Sequence, residues 1–219
     1  MGGDPEREKQ AAAEAAADLV EDGMRVGLGT GSTAAHFVEA LAARRLDVRC
    51  VATSPATERQ ALALGLRLEP FAGREGLARL DLAVDGADEL ASDGWVRKGG
   101  GGAHTREKVV AAAAERFVVV VSSDKLVERL SGPVALELLP FGLAATLARL
   151  GEARLRDAPA TPDGGVLADW HGPLDDPAAV AALLSATPGV VEHGLFPPGL
   201  VAEALVGRAG GVERRRYGA

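Results

Sequence analysis

Hydrophobic positions follow two different periods along the first part of the chain. Alanine-rich and amphipathic segments bounded by Gly, Pro or charged residues predict helices over residues 5–21, 34–45, 56–64 and 106–116. Short β-branched or leucine-rich runs between them predict strands over residues 24–28, 48–52, 80–84 and 117–121. This alternation indicates an α/β fold built on a doubly wound, mostly parallel, Rossmann-like sheet.

The pattern changes from about residue 132 onward, where Pro and Gly cluster at the joins between shorter elements. Predicted strands at 134–138, 165–170 and 190–195 are interleaved with predicted helices at 141–150 and 177–186. The last predicted strand, 200–206, could rejoin the first sheet. We therefore expect a catalytic domain over residues 1–130 plus 206–219 and a smaller, inserted α+β domain over residues 131–205.

Composition and charge narrow the class of protein. The chain is 47% hydrophobic and 25% charged, which is ordinary for a globular protein with a substantial core. A net charge of -7 argues against a nucleic-acid partner, so the arginine run at 214–216 is expected to be a solvated tail. No apolar run approaches a membrane span, and the N-terminus lacks the apolar segment of a signal peptide. A single cysteine, Cys50, excludes an intramolecular disulfide and fits a reducing cytoplasm.

The loop at residues 29–33, Gly-Thr-Gly-Ser-Thr, joins a predicted strand to a predicted helix. Backbone N–H groups at the start of a helix carry partial positive charge and bind phosphate without a cationic side chain. Ser32 and Thr33 add hydroxyl donors. The loop lacks the Gly-Lys-Ser/Thr ending of a Walker A motif and the third glycine of a dinucleotide fingerprint. A plain helix N-cap is the alternative, but the strand–loop–helix context favours phosphate binding.

Asp85 and Asp88 follow the predicted strand 80–84, at the edge of the sheet where open α/β folds bind ligands. Two acids three residues apart can reach neighbouring hydroxyls of one sugar. The alternatives are a Mg²⁺ site, or an Asx turn with Glu89 solvated. The proximity of Lys98, and the lack of a histidine beside the acids, favour the sugar site over the metal site.

Lys98 opens a run of four glycines at 99–102. Ordering four glycines carries a large entropic penalty unless the backbone must approach a ligand, and their N–H groups can form an anion nest for a developing oxyanion. Glu107 follows in the next helix, where an acid is either a surface residue or a carboxylate base. We expect His104 to cap that helix.

Lysine is rare in this chain, since only four of its 24 basic residues are lysine: Lys9, Lys98, Lys108 and Lys125. A lysine in a chain that otherwise uses arginine suggests a need for a compact ammonium with a tunable pKa. The remaining histidines, His36, His171 and His193, are scattered, and we expect them to be structural.

These features together favour one type of reaction. A phosphate-binding loop, two acids for hydroxyls, a lysine and a carboxylate base suit the transfer of a proton between adjacent carbons of a hydroxy-carbonyl compound. That transfer needs a base for the carbon acid and donors or positive charge for the enediolate. It needs no nucleotide, metal or other cofactor.

Seven segments of this chain closely resemble the ribose-5-phosphate isomerases of the A type, in order and at matching spacings, between about residues 9 and 206. They are 29–33 (GTGST), 85–89 (DGADE), 98–101 (KGGG), 105–108 (TREK), 122–125 (SSDK), 137–141 (ELLPF) and 189–196 (GVVEHGLF). The resemblance implies interconversion of D-ribose 5-phosphate and D-ribulose 5-phosphate through a cis-enediol, in the non-oxidative branch of the pentose phosphate pathway. It implies no cofactor, a cytoplasmic location, and a homodimer with a homotetramer as the alternative.

The same resemblance implies the roles of individual residues. Glu107 would move the proton between C1 and C2, and Lys98 would stabilise the charge on the carbonyl oxygen. Asp85 and Asp88 would handle ring opening and hydroxyl proton transfers. Ser32, Thr33 and Lys125 would bind the phosphate, with Lys9 as a further contact. Other residues expected to contact the substrate are Thr30, Gly31, Gly86, Ala87, Gly99, Gly100 and Gly101.

Two other classes of protein share parts of this pattern. A sugar-phosphate sensor domain of a transcription regulator has the same phosphate-binding plan, but it comes with a DNA-reading helix-turn-helix. The first 23 residues hold one predicted helix, so we expect no such DNA-binding domain. A coenzyme A transferase-like enzyme would use a glutamate as nucleophile and would leave Lys98 and the acid pair without a role.

Overall fold

The computed structural model describes residues 4–217. The elements of the first half are α1 (Pro5–Ala17), β1 (Arg25–Leu28), α2 (Ser32–Ala43), β2 (Arg49–Ala52), α3 (Pro55–Ala63), β3 (Arg67–Leu68), β4 (Leu80–Asp85), β5 (Glu89–Ala91), β6 (Val96–Arg97), α4 (His104–Ala113) and β7 (Ala114–Ser122). The elements of the second half are β8 (Leu126–Val127), β9 (Val134–Leu138), α5 (Leu143–Leu150), β10 (Ala153–Leu155), β11 (Val166–Trp170), α6 (Pro177–Ser185), β12 (Val190–His193), β13 (Leu195–Phe196), β14 (Glu203–Arg208) and β15 (Gly211–Arg216).

Seven strands form the main sheet in the order β15-β14-β7-β4-β1-β2-β3. All neighbours in it are parallel except the hairpin of β14 and β15. The chain runs outward from β1 through β2 to β3 and then returns to β4 on the other side of β1, so the order reverses between β1 and β4. Loops that follow these two strands diverge and leave a crevice at the carboxyl edge of the sheet. The predicted doubly wound α/β class is confirmed.

The central strands of the main sheet are buried on both faces because they are apolar on both sides. Val26, Leu28 and Val84 pack with α1 and α2 on one face, while Leu80 and Val119 belong to the cluster on the other face. That second cluster includes Val110 of α4. Gly27 lets α4 approach the sheet, because a Cβ there would lie 2.4 Å from Cγ1 of Val110.

Two smaller sheets complete the structure. The first has the order β10-β11-β9-β12, is antiparallel throughout and packs with α5 and α6 around its own core. We call these six elements the second unit. The other small sheet, β13-β6-β5-β8, joins short strands from both halves of the chain. The predicted single strand 190–195 is therefore wrong, since β12 and β13 pair in different sheets on either side of Gly194.

Several predicted boundaries are also wrong. Helix α1 ends at Ala17 and not at residue 21. Val20 is buried beyond the helix end, and its carbonyl accepts a 2.7 Å hydrogen bond from the Arg44 guanidinium. Helix α4 begins at His104, before the predicted residue 106, and ends at Ala113, so the expected last three residues, 114–116, belong to β7.

The arginine run at 214–216 is part of a strand, which corrects the expectation of a solvated tail. Strand β15 pairs with β14, and Nε of Arg214 lies 2.9 Å from Oε2 of Glu203, a carboxylate that is only 4% exposed. Strand β14 begins at Glu203, so residues 203–205 belong to the main sheet although the predicted inserted domain extends to 205. The division into two domains stays a prediction, and its outermost residues, 1–3 and 218–219, lie outside the described residues. Within residues 4–217 no helix is both long and apolar enough to span a membrane.

Candidate active site

A cavity of about 190 Å³ opens at the carboxyl edge of the main sheet, where the strand order reverses. The residues that line it come from segments that lie far apart in the sequence. Its lining residues are Lys9, Thr30, Gly31, Ser32, Thr33, Gly86, Ala87, Asp88, Lys98, Gly99, Gly100, Gly101, Glu107 and Lys125. All the residues proposed from the sequence for catalysis and substrate binding therefore line one cavity, except Asp85, which lies buried directly behind it.

The 29–33 loop forms one end of the cavity. Gly31 has a φ of 110° and occupies the N-cap position of α2, where it provides no side-chain cap. The first N–H groups of α2 therefore face the cavity together with the Ser32 and Thr33 hydroxyls, which favours an anion at this end.

Asp85 fixes the shape of this loop from below. Its Oδ1 accepts hydrogen bonds from the backbone N–H of Thr30 at 3.0 Å and of Gly86 at 2.7 Å. Gly29 makes the contact possible, since a Cβ at that position would lie 2.1 Å from the same oxygen. The loop after β1 and the turn after β4 are thus held by one carboxylate.

Two lysines stand at the same end of the cavity, and a buried acid holds their segments together. Glu8 is 4% exposed, and its Oε2 accepts hydrogen bonds from the Ser123 backbone N–H at 2.8 Å and from the Ser123 hydroxyl at 2.7 Å. This link brings α1, which carries Lys9, next to the turn that carries Lys125. The sequence did not single out Glu8, because an acid in a helix rich in charged residues is usually exposed to solvent.

Asp85, Lys98 and Glu107 lie together beside the 29–33 loop, and we call these three residues the acid–lysine cluster. Nζ of Lys98 lies 3.1 Å from Oδ2 of Asp85 and 3.2 Å from Oε2 of Glu107, and it donates a hydrogen bond of 2.5 Å to the Gly86 carbonyl. None of the three side chains is more than 6% exposed. Two carboxylates thus share one ammonium in a site that excludes most water.

Burial and charge determine the protonation of this cluster. Burial raises the pKa of Glu107 to about 8, and the neighbouring Asp85 carboxylate adds to the rise. Burial also raises the pKa of Asp85, against the opposing effect of Lys98. Burial alone would lower the pKa of Lys98, but the two carboxylates raise it above its usual value. Lys98 therefore stays cationic, while Glu107 can exchange a proton near neutral pH.

Hydrogen bonds on both sides hold the glycine run, residues 99–102. Gly100 donates its N–H to Oδ2 of Asp88 at 2.9 Å, and the Gly99 carbonyl accepts from Nη1 of Arg156 at 2.7 Å. Among the described residues, the N–H groups of Gly99 and Gly101 donate no hydrogen bond. These two groups are available to an oxygen in the cavity, as the predicted anion nest requires. Arg156 is a second residue that sequence reasoning missed.

Lys108 points away from the cavity and joins α4 to the turn between β12 and β13. Its Nζ donates hydrogen bonds of 2.6 Å to both Oε1 of Glu192 and the His193 carbonyl. The Phe196 ring lies between the two lysines of this region, with its centroid 5.0 Å from Nζ of Lys108 and 5.7 Å from Nζ of Lys98. Burial lowers the pKa of Lys108. This lysine holds the helix that carries Glu107.

His104 does not cap α4, contrary to the expectation, because Ala103 occupies the N-cap position and His104 is the first helical residue. Its ring is fully buried, and neither ring nitrogen makes a side-chain hydrogen bond within residues 4–217. Burial lowers its pKa to about 4, so the imidazole is neutral near pH 7. Within the same residues, no three His, Cys, Asp or Glu side chains form a group able to hold a metal ion.

Comparison with known proteins gives a consistent result. Residues 49–211 match the family model of ribose 5-phosphate isomerase A (phosphoriboisomerase A), and residues 5–62 match that of the DeoR C-terminal sensor domain. The ribose-5-phosphate isomerase A of Caulobacter vibrioides is 45% identical over 223 residues, covering 94% of this chain and 96% of the relative.

Solved structures agree with the sequence matches. The ribose 5-phosphate isomerase A of Methanocaldococcus jannaschii is 34% identical, with a TM-score of 0.88 over 95% of this chain and 98% of that one. A D-ribose-5-phosphate isomerase in complex with phospho-erythronic acid is 31% identical, with a TM-score of 0.89 over 97% of this chain and 99% of that one.

Proposed function

Because this chain belongs to the ribose 5-phosphate isomerase A family and interconverts D-ribose 5-phosphate and D-ribulose 5-phosphate, we propose that the cavity described above is its active site. The acid–lysine cluster carries this proposal. It places a carboxyl with a raised pKa beside a permanent cation, in the same cavity that the 29–33 loop lines. A phosphorylated sugar that spans the cavity presents its reacting carbons to Glu107.

Proton transfer begins at C2 of the open-chain aldose. The Glu107 carboxylate removes the C2 proton, the C–H electrons form the C1=C2 double bond, and negative charge develops on the former carbonyl oxygen. The Lys98 ammonium and the N–H groups of Gly99 and Gly101 stabilise that charge. The protonated Glu107 then returns its proton to C1. The hydroxyl on C2 gives up its proton, O1 gains one and becomes the C1 hydroxyl, and C2 becomes the ketone carbon.

Proton transfers between oxygens fall to the two aspartates. Asp88 lies on the open side of the cavity, where a side-chain exposure of 35% lets it reach the sugar hydroxyls and the ring oxygen. Asp85 is buried against Lys98, so it acts on the substrate through that ammonium and through the shape of the 29–33 loop. This assignment gives Asp88 the direct role in ring opening.

The phosphate binds at the end formed by the 29–33 loop. The N–H groups of Ser32 and Thr33, their hydroxyls, and the ammonium groups of Lys9 and Lys125 converge there. The related isomerase in complex with phospho-erythronic acid suggests the ligand for a direct test. We expect this compound to bind here with its phosphate at the 29–33 loop and its carboxylate at Lys98.

The decisive experiment compares the wild type with Glu107→Gln in a coupled assay on ribose 5-phosphate. The amide keeps the shape of the side chain but cannot accept the proton, so we expect turnover to fall by about 10²–10⁴-fold while phospho-erythronic acid still binds. Glu152→Gln, an exposed change in another part of the chain, is the matched control. Near-normal turnover of Glu107→Gln would remove this residue from the role of base.

A parallel assay with EDTA tests the proposal that no metal takes part. We expect the same rate with and without the chelator. Loss of activity that added Mg²⁺ restores would contradict a metal-free mechanism.

We further propose that the protein is a homodimer, with a homotetramer as the alternative, and that it is cytoplasmic. Phe141, Leu155 and Leu183 expose 92%, 49% and 57% of their surface and are candidates for contact between copies. Light scattering coupled to size-exclusion chromatography should give twice the 22.4 kDa of one chain. A mass of one chain at working concentrations would contradict the dimer. The free and buried Cys50 fits a reducing compartment.

A further inference from the structure

One side chain of the second unit reaches the glycine run from outside the cavity. Arg156 directly follows β10, and its backbone N–H donates to the Leu167 carbonyl at 2.9 Å, so the residue is fixed to β11. Its guanidinium extends to the Gly99 carbonyl at 2.7 Å. Fifty-seven positions of sequence separate these two partners.

Asp169 holds the guanidinium in this direction. Nε and Nη2 of Arg156 donate to the two carboxylate oxygens of Asp169 at 2.9 and 2.5 Å. The two side chains are only 19% and 25% exposed, so the pair is partly screened from water. A two-point fork of this kind fixes the orientation of the guanidinium plane and leaves Nη1 directed at the glycine run.

The peptide group between Gly99 and Gly100 connects Arg156 to Asp88. Its carbonyl accepts from Arg156, and its N–H donates to Oδ2 of Asp88 at 2.9 Å. Both contacts depend on one orientation of a planar group, so a rotation of the peptide would break both. Gly100 allows the close approach, since a Cβ there would lie 2.9 Å from Oδ1 of Asp88.

The charge of the guanidinium strengthens this arrangement. A cation at the carbonyl polarises the peptide and makes its N–H a better donor to the carboxylate on the other side. The orientation of this peptide also sets the direction of the neighbouring N–H groups of Gly99 and Gly101. Arg156 therefore influences both the position of the Asp88 carboxylate and the direction of the N–H groups in the anion nest.

We propose that Arg156, oriented by Asp169, is a positioning residue for the isomerase reaction. It fixes the Gly99–Gly100 peptide and, through it, the Asp88 carboxylate. This inference rests on the proposed role of Asp88 in proton transfers at the sugar oxygens. Arg156 does not itself line the cavity, so it acts without touching the substrate.

The first test compares Arg156→Met and Arg156→Lys with Arg154→Met. Arg154 is exposed, lies in β10 two residues before Arg156 and makes no ion pair among the described residues, so its variant is the matched control. We expect kcat of Arg156→Met to fall about 10- to 100-fold with KM changed less than about threefold, because displaced catalytic groups slow chemistry while the phosphate contacts remain. Arg156→Lys keeps the charge without the fork and should recover part of the loss. A kcat for Arg156→Met equal to that of Arg154→Met overturns the inference.

A double-mutant cycle with Asp88→Asn then tests whether the effect passes through Asp88. In the Asp88→Asn background, we expect Arg156→Met to lower kcat by less than about threefold. Equal losses in both backgrounds would show that Arg156 does not act through Asp88 and would overturn the proposed positioning role. If Asp88→Asn alone leaves kcat unchanged, the proposed role of Asp88 fails. If Asp88→Asn lowers kcat but Arg156→Met does not, only the inference about Arg156 is refuted. Should Arg156→Met not fold, Arg156→Lys takes its place in the cycle with the same expected outcome.

Discussion

Replacing the proposed base with its neutral isostere should stabilise the protein while it abolishes activity. The reason lies in the position of Glu107, which is 6% exposed, shares its cation with Asp85 and has its pKa raised to about 8. A carboxylate in this position costs free energy in the folded chain that it does not cost in the unfolded chain. Glu107→Gln removes that cost.

The size of the expected stabilisation and its dependence on pH follow from the raised pKa of Glu107. The difference between the ordinary value of 4.5 and about 8 corresponds to at most about 5 kcal/mol, at about 1.4 kcal/mol per pKa unit. Below pH 4.5 the carboxyl is protonated in both folded and unfolded chains, so the two proteins should be equally stable there. Between 4.5 and about 8 the folded wild type retains a proton that the unfolded chain releases, so its free energy of unfolding falls as the pH rises.

The assay is thermal unfolding of the wild type and Glu107→Gln from pH 5 to pH 9. Because Lys98 and its surroundings relax when the charge is removed, we expect roughly 1–3 kcal/mol in favour of the variant at pH 9 and little difference at pH 5. In a chain of this length each 1 kcal/mol shifts Tm by about 2–4 °C. Glu152→Gln should show no such trend, since its side chain is exposed. A wild type that becomes more stable than Glu107→Gln as the pH rises would mean that Lys98 outweighs burial, which would refute the reasoning.

Three further predictions follow from the geometry of the site. The kcat/KM of the wild type should rise about tenfold per pH unit below about 8 and level above it, since the base must be ionised; a flat profile from pH 6 to 9 would contradict the raised pKa of Glu107. Lys125→Ala should raise KM for ribose 5-phosphate about tenfold or more with kcat little changed, as steady-state kinetics can show. Gly29→Ala should lower kcat about 100-fold, because its Cβ would lie 2.1 Å from a carboxylate oxygen of the acid–lysine cluster. Gly210→Ala, where a Cβ meets nothing within 4 Å, is the control, and equal activity of the two variants would refute the steric argument.

Two sequence segments proved easiest to interpret. Each lies at the carboxyl end of a strand, beside the point where the strand order of the main sheet reverses. The 29–33 loop follows β1 and Asp85 ends β4, and these strands are neighbours, so local motifs meet without any long-range information. Apolar strands with polar residues at their carboxyl ends are a local pattern that a sequence displays directly. The fold class and the part of the cavity that these two segments line could be predicted for this reason, whereas Lys9 and Lys125 were expected only from the family resemblance.

The supporting residues could not be predicted, because their role depends on contacts between distant segments. Arg156 contacts a residue 57 positions away, and Glu8 contacts one 115 positions away. Neither lies in a motif, and each belongs to a residue type that is common on surfaces. The short strands β5, β6 and β8 were missed because each has only two or three residues, too few to display a period of two. Strand β15 was missed because its run of exposed arginines resembles a solvated tail.

The rarity of lysine marked Lys98 as unusual, and of the two reasons expected for it, a compact ammonium and a tunable pKa, the second is wrong. A tunable amine would have a lowered pKa, whereas the two carboxylates raise the pKa of Lys98 and keep it charged. The requirement for lysine is geometric. An ammonium has three donors, and the site offers three acceptors around one point: Oδ2 of Asp85 at 3.1 Å, Oε2 of Glu107 at 3.2 Å and the Gly86 carbonyl at 2.5 Å. A planar guanidinium would spread its donors over a wider fork and displace at least one of these groups. The group whose pKa is shifted towards neutral pH is therefore Glu107, and Lys98 is the neighbouring cation that stays charged.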